Sequence, residues 1–377
     1  NRVYYTCNLC DKLYRDETAK FQTTLEAVTI APLGHTMEKT EAVEPTYRTT
    51  GNNAYYTCTR CGKVYKDEAG QTETTVEDEV LAVLPSIALG DCGKNLTWVL
   101  TEDGMLIVSG NGWMPDFGNS NTAPWHQYRT NIYKVVLETG VTDIGDYAFY
   151  SCYQMKEIHI PEGVTQIGQF AFQDCEKLEK AALPSTVSSI GQHAFYNCGS
   201  LQEMQIPEGV VQIDSRLFSG CTNLKSVKLP DSITSISYDA FRYCSNLTEL
   251  VLPAKLKEIG SDAFSGCKSL TKLDIPKTVT SIGSGAFSGC SGLTSITIPD
   301  GVAQIGSSAF SGCSALTSVN IPKGLVRINS DTFSNCSGLI EVVIPNGVLS
   351  IESSAFSGCS GLESVSIPDS VTSIGWD

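Results

Sequence analysis

Ten cysteines in this chain recur at one interval. Cys152, Cys175, Cys198, Cys221, Cys244, Cys267, Cys290, Cys313, Cys336 and Cys359 follow one another every 23 residues. Phe149, Phe172, Phe195, Phe218, Phe241, Phe264, Phe287, Phe310, Phe333 and Phe356 keep the same interval, three residues ahead of each cysteine. Prolines from Pro161 to Pro368 and isoleucines from Ile144 to Ile374 share the period. The unit reads C-x-x-L-x-x-(I/V/L)-x-(I/L)-P-x-x-(V/I/L)-x-x-I-(G)-x-x-A-F-x-x-C. A unit this small cannot bury a core of its own, so the copies must stack and pool their apolar sides.

Within each unit, L-x-x-I-x-I alternates apolar and polar positions, as Ile296 and Ile298 show, which is the period of a half-buried strand. The following proline cannot donate to a ladder and ends the strand. V-x-x-I supplies a second short apolar segment, and small residues after it allow a corner. A-F-x-x-C is read as one helical turn, with Phe and Cys on one face. The expected fold is mainly β: a right-handed solenoid that adds one parallel strand per unit, ~4.8 Å per step, and is about 50 Å long over its repeats. Phe and Cys become internal ladders. A buried thiol behaves as a small, soft hydrophobe, so the ten cysteines are read as packing residues and not as reactive ones.

This pattern resembles the BspA-type (Treponema pallidum type) leucine-rich repeat, from roughly Ile132 to the end of the chain. The resemblance implies a surface or secreted protein of a host-associated bacterium, with clostridia among the sources. It implies an extracellular or cell-surface location and a protein or glycoprotein partner on a host or bacterial surface. Some members of the family resemble adhesins that bind host matrix proteins.

A partial copy precedes the first full one: Ile132, Val135 and Leu137 fall 23 residues before Met155, Ile158 and Ile160. Upstream, "LTWVL" and "MLIVSG" alternate about "TEDG", which predicts a β-hairpin. Residues 92–131 are read as an N-terminal cap, since an open end would expose apolar core and strand edge. The cap's Trp98, Trp113, Phe117, Trp125 and Tyr128 are expected to fill its core more than to bind ligand. The solenoid is assigned to 132–377. Its last copy stops after Gly375, before its A-F-x-x-C, and the full protein is expected to continue.

Residues 1–91 carry a second repeat, "YYTCNLCDKLYRDE" echoed by "YYTCTRCGKVYKDE", with CxxC pairs Cys7/Cys10 and Cys58/Cys61 set 51 residues apart. Two small β-units with knuckle turns are expected. A CxxC knuckle can present two thiolates to one tetrahedral ion, so a structural zinc is one reading. His35 in "PLGH" is a candidate third ligand for Cys7 and Cys10, and Asp91 or Cys92 in "LGDC" for Cys58 and Cys61. A site shared by all four paired cysteines, local disulfides, or free thiols stay open beside it. Units of this look in Gram-positive surface proteins carry an upstream cysteine where "EPTYRTTG" has Tyr47.

No H-E-x-x-H, P-loop or strand-linked G-x-G-x-x-G is present. The net charge of −15 argues against a nucleic-acid partner, which requires a basic face. No apolar run approaches the ~18 residues of a membrane span. The strand period leaves two outward columns, one with Glu157, Lys180, Glu203, Glu249 and Lys272, the other with His159, Gln205, Lys228, Val251 and Asp274. These ten residues are the candidate binding surface. The expected function is a non-catalytic binding module that recognises protein through this sheet face. The alternatives are a structural spacer, or an accessory region of an enzyme whose active domain lies outside this chain.

Overall fold

The computed structural model describes residues 5, 6, 8, 12–15, 17, 18, 22, 23, 34–118 and 122–376. The chain divides into two compact units, Asn1–Pro85 and Ser86–Asp377. It is mainly β, with no α-helix among the described residues and two short 3-10 turns, Glu77–Glu79 and His126–Tyr128.

The second unit is a β-solenoid. Its first strand, Ser86–Asp91, runs antiparallel to Leu96–Thr101, which pairs in turn with Met105–Gly110. The unit therefore begins ahead of the expected boundary at residue 92. Met105–Gly110 then takes Lys134–Leu137 as a parallel neighbour, so the cap hairpin provides the template for the first coil. Thereafter each coil adds one face strand. Lys134 pairs with Glu157 and Glu157 with Lys180; further along, Glu203 pairs with Ser226, and Lys272 with Ser295. The V-x-x-I segment builds a second parallel ladder, as at Asp143–Gln166–Ser189. Each proline carbonyl accepts the N–H three residues on, as in Leu256 N–H to Pro253 (3.0 Å), which turns the chain from one ladder to the other.

A-F-x-x-C does not form the expected helical turn. Alternate residues bond in two directions. Phe149 N–H reaches the Ala171 carbonyl of the next coil (2.8 Å), whereas Cys152 N–H folds back on Phe149 (3.2 Å). The alternation requires a left-handed residue just before each cysteine. Gly220, Gly266, Gly289, Gly312 and Gly358 stand there, Asp174, Asn197 and Asn335 in three other coils, and Ser151 and Tyr243 in the remaining two. Glycine, Asn and Asp are the residues that tolerate this conformation. The segment is thus a third hydrogen-bonded ladder, and it replaces the helix that i, i+3 spacing suggested.

The core lies between the ladders. Nine consecutive Phe–Phe contacts from Phe149 to Phe356 have centroids 5.1–5.7 Å apart and planes within 18° of parallel. Trp125 of the cap stacks on Phe149 at 5.6 Å and donates its indole N–H to the Ala148 carbonyl at 2.7 Å, closing the column. Each thiol from Cys175 to Cys359 donates to the Phe carbonyl of the preceding coil; Cys267 to Phe241, at 3.2 Å, is typical. The ten repeat cysteines are free thiols. Burial pushes Cys152, Cys221 and Cys290 up to about 12.

Two outcomes follow from this packing. Phe264→Ala removes a ring from the middle of the stack and should cost about 3–5 kcal/mol in denaturant unfolding. A loss under about 1 kcal/mol would show that the stack is not a principal core contact. An unfolded thiol ionises at ~8.5, well below Cys152, Cys221 and Cys290 in the fold, so at these positions the unfolded chain releases protons first as pH rises. The thiol contribution is therefore intact below about pH 8.5 and declines from there toward pH 12. The melting temperature should fall between about pH 8 and 9.5, and a constant value would contradict this reading.

Candidate functional site

The face strands put one side chain in, one out. Ile158, Met204, Val227 and Leu273 are buried, and their neighbours Glu157, His159, Lys180, Glu203, Gln205, Lys228, Glu249, Lys272 and Asp274 are all exposed. Val251, at the outward position of its coil, is 83% exposed. All ten candidate residues therefore lie on the outward side of the face strands or at their ends.

Charges along this face meet in register. Lys134 and Glu157, paired across the first two coils, form an ion pair of 2.6 Å. The hydrogen bond from Lys134 and its charge hold the Glu157 carboxyl below the usual carboxylate range, against a small opposing effect of burial. Lys272 and Asp274 pair at 3.2 Å within one coil. Between these pairs, Ala182 and Ser226 are short. They leave a shallow depression edged by Lys180, Glu203, Gln205 and Lys228. The result is a mixed-charge rim around a depression also lined by Ala181 and Met204.

The cap aromatics divide. Trp98, Phe117 and Trp125 are buried, and edge contacts join Trp125 to Trp98 (5.9 Å) and to Phe117 (5.6 Å). Tyr128 packs against that cluster, while Trp113 faces solvent.

A polar-aromatic column escaped the sequence reading. It occupies the position two residues before each phenylalanine. Tyr147 stacks on Phe170 and Phe170 on His193, each at 4.6 Å. Arg216 then bonds Asp239 (2.9 Å) and lies over the Tyr238 ring (5.0 Å). Asp239 also receives Arg242 at 3.2 Å and is itself buried. The signal was available: large or charged residues fill this column in the first coils, where Gly285 and Ser308 stand later.

In the N-terminal unit, Cys7 and Cys10 lie outside the described residues, so their proposed grouping with His35 or with the second pair does too. His35 sits against the second pair: one of its ring nitrogens and the sulfurs of Cys58 and Cys61 lie within 4.8 Å of one another. This is the one convergent His/Cys/Asp/Glu group among the described residues. His35, a candidate third ligand for Cys7 and Cys10, precedes the strand Met37–Thr40, which pairs with Tyr55–Cys58 and so places it at the second knuckle. Cys92, the alternative ligand for that pair, is buried in the solenoid unit among Leu96, Trp98 and their neighbours. Asp91 lies at the end of the cap strand in that same unit. The Cys58 thiol is lowered to about 6, chiefly by its hydrogen bond to His35 and, against burial, by the N–H groups of Cys61 and Arg60.

Parallel strands on one side, a second ladder behind them and an asparagine-, glycine- and cysteine-lined turn column define a leucine-rich-repeat solenoid. The sequence profile described as "BspA type Leucine rich repeat region" matches residues 127–248 and 257–377, in six copies. The chain belongs to that family. Among solved structures, a leucine-rich repeat protein from Bacteroides ovatus is similar, with 25% identity and a TM-score of 0.55 over 78% of this chain and 90% of that one. One from Eubacterium ventriosum has 25% identity and a TM-score of 0.50 over 76% and 93%. A leucine rich cell surface protein from Faecalibacterium prausnitzii has 26% identity and a TM-score of 0.49 over 78% and 96%. No curated protein sequence matches the chain. No helix among the described residues is long and apolar enough to cross a membrane.

Proposed function

We propose that this chain is a non-catalytic binding module that recognises a protein through the outward side of its face strands, in the setting of a bacterial cell surface. The observation that carries this is the depression at Ala182 and Ser226, edged by Lys180, Glu203, Gln205 and Lys228 on the face of the sheet. A rigid sheet pays little ordering entropy on binding. A rim of mixed charge discriminates between partners by complementarity. The exposed Val251, one coil on from Lys228, adds apolar contact area beside it. The surface setting rests on the family resemblance, as does the expectation of an adhesion-type partner.

Photo-crosslinking on host epithelial surfaces and matrix proteins tests the reading. A photoreactive residue in place of Gln205 should give a discrete crosslinked partner. The same residue in place of Ser314, exposed on the turn side, should not. Lys228→Glu should then weaken capture by roughly tenfold at physiological salt, consistent with about 1–2 kcal/mol for a rim charge reversed against its complement. Equal crosslinking from both positions, or none from either, would return the solenoid to the role of spacer.

A further inference from the structure

The N-terminal unit has almost no core. Within the described residues of 34–85 the only buried apolar side chains are Cys58 and Tyr65, and the one other buried side chain is the charged Glu79. The strands are two to four residues long. A unit of this size with so little apolar burial requires a covalent or metal staple to hold one structure. Both buried apolar residues lie at the same place, beside His35.

The geometry there is that of a ligand set. Cys61 Sγ lies 3.7 Å from His35 Nδ1. A tetrahedral zinc with Zn–S of ~2.3 Å and Zn–N of ~2.05 Å has an S–N edge of about 3.6 Å. The other His35 nitrogen, Nε2, is 3.4 Å from the Tyr65 hydroxyl, an outer partner that orients the ring. Gly70 lets the chain pass against the His35 ring: a Cβ there would stand 2.9 Å from Cδ2, at a φ of +67° that also favours glycine. Two thiolates and one imidazole suit a borderline-soft divalent ion.

We propose that His35, Cys58 and Cys61 supply three ligands of a structural zinc site that staples this unit. Cys58 is buried, whereas His35 and Cys61 are exposed. The site ties the start of Met37–Thr40 to the turn that follows Tyr55–Cys58, and so locks the four-stranded sheet across its longest loop. Zinc binding then supplies folding free energy that the missing core does not. The proposal is independent of what the solenoid face binds.

The probe is Co²⁺ added to the reduced full chain carrying Cys7→Ser and Cys10→Ser, so that one CxxC pair remains. One equivalent should bind with a sulfur-to-cobalt charge-transfer band and be displaced by Zn²⁺. Tyr65→Phe should weaken binding roughly tenfold. His35→Ala should weaken it further, and His35→Cys should restore it with a stronger band from the third thiolate, which separates loss of a ligand from loss of the fold. Chelating the native chain should raise hydrogen exchange over residues 34–85 and leave the strands from 134 to 366 unchanged. A Cys58–Cys61 disulfide in chain isolated without reductant, absence of the cobalt band, or affinity unchanged by His35→Ala would each overturn the proposal.

Discussion

The phenylalanine stack sets the terms for the solenoid. Rings 5.1–5.7 Å apart, nearly parallel, lie close to the ~4.8 Å spacing that hydrogen-bonded strands impose. One ring per coil therefore fits only if every coil returns to the same point after the same number of residues. An insertion in any one coil would lift its ring out of the column and break the thiol-to-carbonyl bond below it. The cysteine is small enough to sit behind the ring and still carries a donor. The Phe carbonyl on its inner side thus gains a partner in a place water cannot reach. Valine would fill the space and leave that acceptor with one bond fewer.

A core this regular separates structure from recognition. The inward columns hardly vary, because each residue is the neighbour of its own copies. The outward columns carry no such constraint, and there the coils differ: Lys180 over Glu203, Ala182 beside Gln205, Val251 in a polar series. The varying columns lie on different sides of the coil. Two form the mixed-charge face. A third forms the Tyr147–Phe170–His193 stack that ends in the Arg216–Asp239–Arg242 cluster. The latter fills left-handed positions that glycine or serine occupies elsewhere, so its large side chains occur despite backbone preference.

The N-terminal unit obeys a different economy of structure. Its strands repeat at the same 51-residue offset as its cysteines: Tyr5–Thr6, Leu13–Tyr14 and Gln22–Thr23 recur as Tyr56–Thr57, Val64–Tyr65 and Glu73–Thr74. The solenoid gains stability by adding neighbours. These small sheets have few buried neighbours to add, and the thiols and imidazole that cluster in them suit a staple better than a core.

The period by itself determined most of this protein. Twenty-three residues with a fixed Phe, Cys, Pro and Ile leave one stacked arrangement, and from it follow the parallel face strands, the inward ladders and the ten exposed outward positions. Alternation in "LTWVL" and "MLIVSG" was enough for the cap hairpin. What spacing left open were matters of backbone direction and of contact distant in sequence. Phe and Cys at i and i+3 fit a helical turn as well as the alternating ladder; the left-handed residue before each cysteine decides for the ladder, because it turns every second N–H toward the next coil. His35 follows the first unit in sequence and lies beside Cys58 and Cys61 in space, because an antiparallel strand pair brings the two segments together. Cys92, four residues before Leu96, joins the cap's core instead. Periodicity reports which residues are equivalent, whereas only the folded backbone decides which inequivalent ones meet.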